Sequence, residues 1–344
     1  MWYLPLLKSG LLPDALVRRW IRRLLAQRLK HEEQACSGSP ALAEERLVKI
    51  LSQEPIAALP EKANEQHYEV PSAFYREVLG PNLKYSSCYW PDGVEDIETA
   101  EEQMLVMTCE RAQLQDGMDI LELGCGWGSL TLFMARIYPQ ARIVAVSNSH
   151  SQREWIEQEA RRLGRSNITV ITADMNEFNI GRVFDRVVSV EMFEHMRNYR
   201  ILLNRVAGWL KEDGKLFIHI FCHARYPYLF ETGVKDDWMA RYFFSGGVMP
   251  SETLLDRFNQ DLVVEKRWQV NGRHYERTLN DWLKRMDERK DRVMPILRDT
   301  YGAEAATWWI YWRVFFMASA ELFGYRDGRE WFVCHARFTK SPPA

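Results

Sequence analysis

Hydrophobic positions between residues 117 and 222 fall into short apolar runs separated by amphipathic segments. The runs that predict strands are DILEL (119–123), RIVAVS (142–147), ITVITA (168–173), FDRVVSV (184–190) and KLFIHIF (215–221). The segments between them predict helices over 128–138, 151–164 and 197–211. Because strands that alternate with helices are typical of doubly wound domains, we predict an α/β fold with a Rossmann-like parallel sheet.

Both flanks of this region have a different pattern. Residues 14–30 place Leu16, Trp20, Leu24 and Leu29 near one helical face, which predicts a helix packed on the rest of the protein with its arginines in solvent. A weak contact with a membrane surface is the alternative. The polar residues 32–45 predict a loop before a helix over 42–53.

The pattern beyond Phe221 is interrupted by the stretch YFFSGGVMP, which predicts an insertion over the site. VVEKRWQV and EWFVCHARFTK predict two further strands around a helical region at 278–323. We therefore expect an N-terminal helical extension over 1–66 and a main domain over 67–344. Within that domain the core spans about 117–222 and a C-terminal cap about 223–325.

Composition narrows the classes of partner and compartment. Lys and Arg total 45 against 47 Asp and Glu, so the net charge of −2 provides no basic field for nucleic acid. The six cysteines form no CxxC pair, which argues against a disulfide framework and against a zinc site. The first residues contain no bilayer-spanning run and no signal-peptide pattern. We expect a soluble cytoplasmic protein without a metal, and leave open whether it is a homodimer.

The strongest local motif is LELGCGWGSL, residues 121–130. It places Gly124, Gly126 and Gly128 between a predicted strand and a predicted helix, where glycine lets the backbone turn sharply and approach a ligand. A dinucleotide-binding fold could use such a loop as well.

Glu122 through Gly128 resembles motif I of class I methyltransferases. That resemblance implies S-adenosylmethionine as the cofactor, with its methionine part held by the loop backbone. It also implies that Asp174, in the sequence TADM, bonds the adenine amino group and that Met175 lies against the ring.

The chain departs from the general methyltransferase pattern after its second strand. It reads VAVSNSHSQ where most class I enzymes offer an acidic residue to the ribose hydroxyls. Asn148 and Gln152 could make those hydrogen bonds as neutral amides.

A second polar cluster, EMFEHM, follows the strand FDRVVSV at the sheet edge where open α/β folds bind ligands. Glu191 and His195 would share a face if this turn is helical, and Glu194 lies beside His195. Such a cluster could bind a protonated amine and accept its proton. The structural interpretation is a helix start with a solvated Glu and a buried His.

Several motifs in order indicate a narrower family. HYEVPSAFY, LKYSSCYW, SNSHSQ, EMFEHM and NGRHYERT resemble the cyclopropane fatty acid synthase superfamily, and most closely the coclaurine N-methyltransferase group within it, over residues 12–340. The resemblance implies that Glu194 and His195 bind the acceptor and remove its proton. It further implies an acceptor pocket with Tyr68 and Glu69, and a segment with Tyr85 and Ser86 that folds over the cofactor.

Aromatic residues of YFFSGG and YWRVFF could form an apolar pocket wall, with a cation–π contribution from Tyr242, Phe243, Trp312 or Phe316. Core packing is the other interpretation of the same residues.

Two kinds of methyl acceptor fit the motifs. In the lipid-modifying synthases of the superfamily a bicarbonate acts as the base, and the aligned residues here are Ser87, Glu194, His219 and Tyr275. Those synthases have a cysteine where this chain has Ser87, and Cys88 is displaced by one position. We favour a small-molecule amine, whose identity stays open, over an acyl lipid. A binding protein without catalysis is disfavoured because the glycine loop, Asp174 and Glu194–His195 are intact.

Overall fold

The computed structural model describes residues 12–58, 70–230 and 238–342. The helices in these ranges are α1 Asp14–Ala35, α2 Pro40–Leu51, α3 Ser72–Val78, α4 Ile97–Ala112, α5 Ser129–Ile137, α6 His150–Arg162, α7 Tyr199–Trp209, α8 Trp238–Tyr242, α9 Gly272–Glu288, α10 Lys290–Tyr301 and α11 Ala305–Gly324. The strands are β1 Asp119–Leu123, β2 Arg142–Ser147, β3 Ile168–Thr172, β4 Phe184–Val190, β5 Leu210–His223, β6 Tyr228–Leu229, β7 Val248–Met249, β8 Leu262–Val270 and β9 Trp331–Lys340. No helix among the described residues is long and apolar enough to cross a bilayer.

Seven of these strands form one sheet in the order β3-β2-β1-β4-β5-β9-β8. The first five run parallel, and β9 is antiparallel to both of its neighbours. The predicted Rossmann-like sheet is confirmed, with β1, β2 and β4 at their predicted bounds. β6 and β7 form a separate antiparallel pair.

The order of the strands fixes where a ligand can bind. The chain moves outward from β1 to β3 and then returns to place β4 on the other side of β1. Such a reversal opens a crevice at the carboxyl ends of the parallel strands. The loops after β1, β2, β3 and β4 all lie at that edge.

Three predicted boundaries are wrong. Residues 32–35 continue α1 instead of starting a loop, because a polar run with good helix formers stays helical when it is exposed. Only residues 36–39 separate α1 from α2, whose first turn is capped by the Ser39 hydroxyl. Helix α7 ends at Trp209, and β5 begins at Leu210 with an irregular pairing to β4.

Helix α1 packs on the cap, as predicted, but through a different face. Val17 and Ile21 are buried, whereas Leu16 and Leu24 remain 55% and 44% exposed. The arginines are not all in solvent: Arg18 forms a 3.0 Å ion pair with Glu321 of α11. The same carboxylate binds a second α1 residue, Arg22. The helix is therefore tied to the cap by both apolar and charged contacts.

The protein has an aromatic cap above a conventional sheet core. Buried residues of α1, α3 and α8–α11 join in one cluster that includes the fully buried Trp282, Trp312 and Phe316. Aliphatic residues of the strands pack with α2 and α7 on one side and with α4 and α5 on the other. The cap thus stands on the ligand-binding edge of the sheet.

Candidate active site

The glycine loop joins β1 to α5 with left-handed backbone at Gly124, Gly126 and Gly128. A β-carbon built on Gly128 would lie 2.6 Å from a side-chain carbon of Ile156, so this glycine is required for packing. A β-carbon on Gly126 would meet no atom within 4 Å. The backbone at Gly126 is therefore open to a ligand, which is the close approach that the motif predicts.

A small cavity of about 70 Å³ lies beside this loop. Its lining includes Gly126, Asn148, Gln152, Asp174 and Met175, so all the residues predicted for the adenosine part meet there. Asp174 accepts the backbone N–H of Asn176 at 2.8 Å through Oδ1.

Gln152 contributes a buried donor to this cavity. Its side chain is almost fully buried, and Oε1 accepts the Ser147 hydroxyl at 2.6 Å. Nε2 has no hydrogen-bond partner among the described residues. A buried N–H without a partner costs free energy, and a ribose hydroxyl would satisfy it. The residues present therefore fit S-adenosylmethionine, with a neutral amide in place of the usual carboxylate.

Glu122 supports the same loop from β1. Its carboxyl group is buried and accepts the Thr131 hydroxyl at 2.6 Å. Burial raises the pKa of Glu122 to about 8, so the side chain is protonated at neutral pH.

A larger cavity of about 580 Å³ continues from the glycine loop toward the cap. Tyr85 and Ser86 line it near the loop, and Glu191, His195 and Tyr275 line it further on. His195 belongs to both cavities and lies 4.6 Å from the Phe244 ring, measured between ring centroids. The two cavities thus meet along Gly124, Gly126, Gln152 and His195, and His195 contributes the imidazole at this boundary, where a methyl donor and an acceptor would face each other.

Glu191 makes three polar contacts at the large cavity. Its Oε1 accepts the Ser87 backbone N–H at 2.9 Å and lies 3.2 Å from His219 Nε2, while Oε2 accepts the Tyr275 hydroxyl at 2.6 Å. We call Ser87, His219 and Tyr275 the Glu191 clamp. Glu191 has φ +47°, a conformation that a non-glycine residue adopts at a cost of about 1–2 kcal/mol. The clamp therefore holds the carboxylate against backbone strain.

Glu194 lies behind this carboxylate and not in the cavity lining. It is fully buried, and its Oε1 accepts the Phe221 backbone N–H at 2.8 Å. Burial raises the pKa of Glu194 well above its usual range, and the nearby Glu191 raises it further. Burial also raises the pKa of Glu191, but Lys84, Tyr275 and Ser87 all lower it. Of the two carboxyl groups, Glu194 has its pKa raised further.

Lys84 is a site residue that the sequence analysis missed. It is almost fully buried, and its Nζ donates to the Ser87 carbonyl at 2.7 Å and to the Ser86 hydroxyl. Burial lowers its pKa, which the charge of Glu191 opposes. The only available signal was a lysine next to the YSSCYW motif, and its burial could not be predicted from that.

The remaining predicted site positions have different outcomes. Tyr68 and Glu69 lie outside the described residues. Glu191 precedes the single 3-10 turn Phe193–His195, so Glu191 and His195 share a cavity without sharing a helix.

The aromatic wall consists of neighbours of the residues that we predicted. Phe243, Trp312 and Phe316 are buried in the cap core, and neither they nor Tyr242 line the cavity. The pocket interpretation of these four residues is therefore wrong. The wall is formed by a set that includes Tyr228, Phe230, Phe244, Phe315 and Phe323, and on the α1 side Trp20, Ile21, Leu24 and Arg28.

Comparison with known proteins agrees with this geometry. The model of the mycolic acid cyclopropane synthetase family matches residues 58–328. This chain belongs to that family. An (S)-coclaurine N-methyltransferase from Thalictrum flavum subsp. glaucum is 38% identical over 97% of this chain and 94% of its own length. A cyclopropane-fatty-acyl-phospholipid synthase from Escherichia coli is 30% identical over 79% of this chain and 67% of its own length.

A solved relative extends the match to three dimensions. The crystal structure of a coclaurine N-methyltransferase bound to N-methylheliamine and S-adenosylhomocysteine superposes with a TM-score of 0.94, at 38% identity and over 98% of both chains. The family resemblance, the methyltransferase class and S-adenosylmethionine as the cofactor are thereby confirmed. Family members act on both amines and lipids, so the acceptor has to be argued from the site.

Proposed function

We propose that this enzyme transfers the methyl group of S-adenosylmethionine to the nitrogen of a small aromatic amine. The observation that carries the proposal is the Glu191 carboxylate held in its clamp. Three of the four residues that align with a bicarbonate site in the lipid-modifying synthases, Ser87, His219 and Tyr275, contact Glu191 instead. A carboxylate of the chain itself thus fills the position of an exchangeable base.

An amine acceptor can use this arrangement directly. The bound cofactor supplies an activated methyl group on a positive sulfur. The protein has to present an uncharged nitrogen and stabilise the positive charge that moves onto it. Glu191 places a carboxylate in the cavity lining, and the aromatic wall excludes water and attracts cations.

The proton of the product also needs an acceptor. His195 lies where the two cavities meet, and Glu191 lines the same large cavity. We assign proton acceptance to His195 and Glu191. Direct acceptor contact by Glu194 stays a prediction, and its burial behind Glu191 supports an indirect role. Acceptor contacts by Tyr68 and Glu69 stay predictions as well.

The size of the site favours a compact substrate. About 580 Å³ is shared between the methionine end of the cofactor and the acceptor. Pockets of this volume suit ring systems of small-molecule size. Coclaurine N-methyltransferases, the relatives at 38% identity, are named for a benzylisoquinoline amine, so a bicyclic aromatic amine is the first acceptor to test.

Labelled methyl transfer tests the acceptor directly. Isoquinoline, phenethylamine, indolethylamine and polyamine acceptors are compared with vesicles of unsaturated phospholipid, each with and without bicarbonate. We expect transfer to an aromatic amine that is independent of bicarbonate and rises with pH as the acceptor nitrogen loses its proton. Transfer to acyl chains and to no amine would overturn the proposal.

Glu191→Ala tests the carboxylate itself. Removal of a proton acceptor and counter-charge should lower kcat/KM roughly 100-fold, and formate should restore part of the loss because the clamp is left intact. Glu44→Gln is the matched control, since Glu44 is a buried acid bonded to Ser251 and Thr253 away from both cavities. Full activity of Glu191→Ala without formate would contradict the role of this residue.

We further propose a cytoplasmic location, which is supported by six buried cysteines with free thiols. A homodimer and a weak membrane-surface contact through the exposed leucines of α1 stay proposals, to be tested by sedimentation and by flotation with anionic vesicles.

A further inference from the structure

A second buried histidine lies behind the Glu191 clamp. His219 and His335 are directly opposite each other in the antiparallel pair of β5 and β9, and both are fully buried. Residues opposite in such a pair point to the same face of the sheet. His335 Nε2 is 2.9 Å from His219 Nδ1, and the far side of His335 contacts Arg111.

Only one placement of protons satisfies this chain of contacts. The Arg111 guanidinium can only donate, and it lies 2.8 Å from His335 Nδ1, which must accept. A neutral His335 then carries its proton on Nε2 and donates it to His219 Nδ1. His219 is left with its proton on Nε2, directed at Glu191 Oε1.

Electrostatics keeps both rings neutral. Burial lowers the pKa of His219 well below its usual range, and Lys84 and Arg111 lower it further. Burial, His219, Arg111 and Lys84 lower the pKa of His335 in the same direction. The groups that face Glu191 itself are Lys84, Tyr275, His219 and Glu194.

We propose that His335 is a positioning residue that fixes the tautomer of His219, so that His219 donates to Glu191 and the clamp holds the Glu191 carboxylate ready to accept a proton. The catalytic part of this inference rests on the proposed function. Without the donation from His335, His219 can move its proton to Nδ1. The Nε2 lone pair would then face the Glu191 oxygen and repel it.

The tautomers can be measured without any substrate. Nitrogen-15 NMR of the histidine-labelled protein should show His219 protonated at Nε2 only, and His335→Phe should shift His219 toward the Nδ1 tautomer. A wild-type His219 protonated at Nδ1, or an unchanged His219 in the variant, would overturn the proposal. This measurement decides the matter even if no amine is methylated, an outcome that would refute the proposed function alone.

Kinetics provides the second arm. His335→Phe should lower kcat about 10-fold, the usual loss when a residue that orients a site residue is removed. The acidic limb of its pH profile should move upward because Glu191 loses a donor, and the affinity for S-adenosylhomocysteine should not change. His335→Gln should retain most activity, since an amide both accepts from Arg111 and donates to His219.

His223→Phe is the matched control, and it also guards against a variant that fails to fold. His223 is equally buried on β5, but it contacts Glu330 and the backbone of Arg225 and Tyr226. A loss of stability alone should appear in both Phe variants, whereas the pH shift should appear only in His335→Phe. If His335→Phe does not fold, NMR of His335→Gln is the deciding measurement. A His219 ring that stays protonated at Nε2 supports the positioning role of position 335, and a ring protonated at Nδ1 refutes it. Equal pH profiles for wild type and His335→Phe would likewise reject it.

Discussion

The two halves of the active site are formed by different kinds of chain segment. The cofactor half consists of the loops after β1 to β3, with Gly126, Gln152 and Asp174 in short contiguous motifs. The acceptor half consists of α1, the cap helices and the β6–β7 pair, whose residues come from distant parts of the chain. One half offers backbone and amide groups to a ligand, and the other offers aromatic surface. The difference teaches that the donor site follows from local geometry, whereas the acceptor site follows from packing.

Among the variants that compare the two halves, Gly126→Ala should have the largest effect, and this effect is on cofactor affinity. The new methyl group enters open space beside the loop and the left-handed backbone is strained, so we expect a loss of cofactor affinity of roughly 10- to 100-fold. Calorimetry with S-adenosylhomocysteine measures the loss.

Gly128→Ala sharpens the same test. Its β-carbon would collide with Ile156, so the melting temperature should fall more than for Gly126→Ala. If both variants lose cofactor affinity and melting temperature to the same extent, neither glycine has a role that is specific to cofactor binding.

Leu24→Ala should affect only the acceptor half. Leu24 lines the large cavity from α1 while remaining 44% exposed, so its truncation should raise the acceptor KM about fivefold through lost apolar contact. Leu16→Ala is the control, because Leu16 is exposed on the same helix and does not line the cavity. A changed cofactor affinity in Leu24→Ala would contradict the separation of the two halves.

The smallest expected effect is a change in how the free energy of unfolding depends on pH. Burial raises the pKa of Glu122 from 4.5 to about 8. Between these values the folded protein keeps a proton that the unfolded chain has lost, so stability falls as pH rises through this window. Glu122→Gln should remove the contribution of this proton to the decrease in the free energy of unfolding. Urea unfolding of the cofactor-free protein from pH 5 to 8 measures the change. An identical slope in the variant would show that Glu122 is ionised in the folded state.

Glu101 on α4 offers a second test of the same kind, beside the segment that carries Lys84. Burial raises its pKa to about 7, and its carboxyl group accepts the Asn82 and Lys84 backbone N–H groups. Glu101→Gln should therefore reduce the pH dependence of the free energy of unfolding only up to about pH 7, which is a narrower pH range than for Glu122→Gln.

The strand and helix periods of the sequence predicted the sheet, and a strand-turn-helix motif predicted the glycine loop, because both are local properties. The residues predicted for the adenosine part came from the family resemblance. The sequence also brought Glu191 and His195 to the correct edge, since both follow a parallel strand directly. The tertiary structure decided which of the two acids has the higher pKa, because Glu194 and Glu191 differ in burial and hydrogen-bond donors and not in residue type. It also decided the aromatic wall: Phe315 lines the cavity, whereas Phe316 is core because it packs against Trp282 of α9.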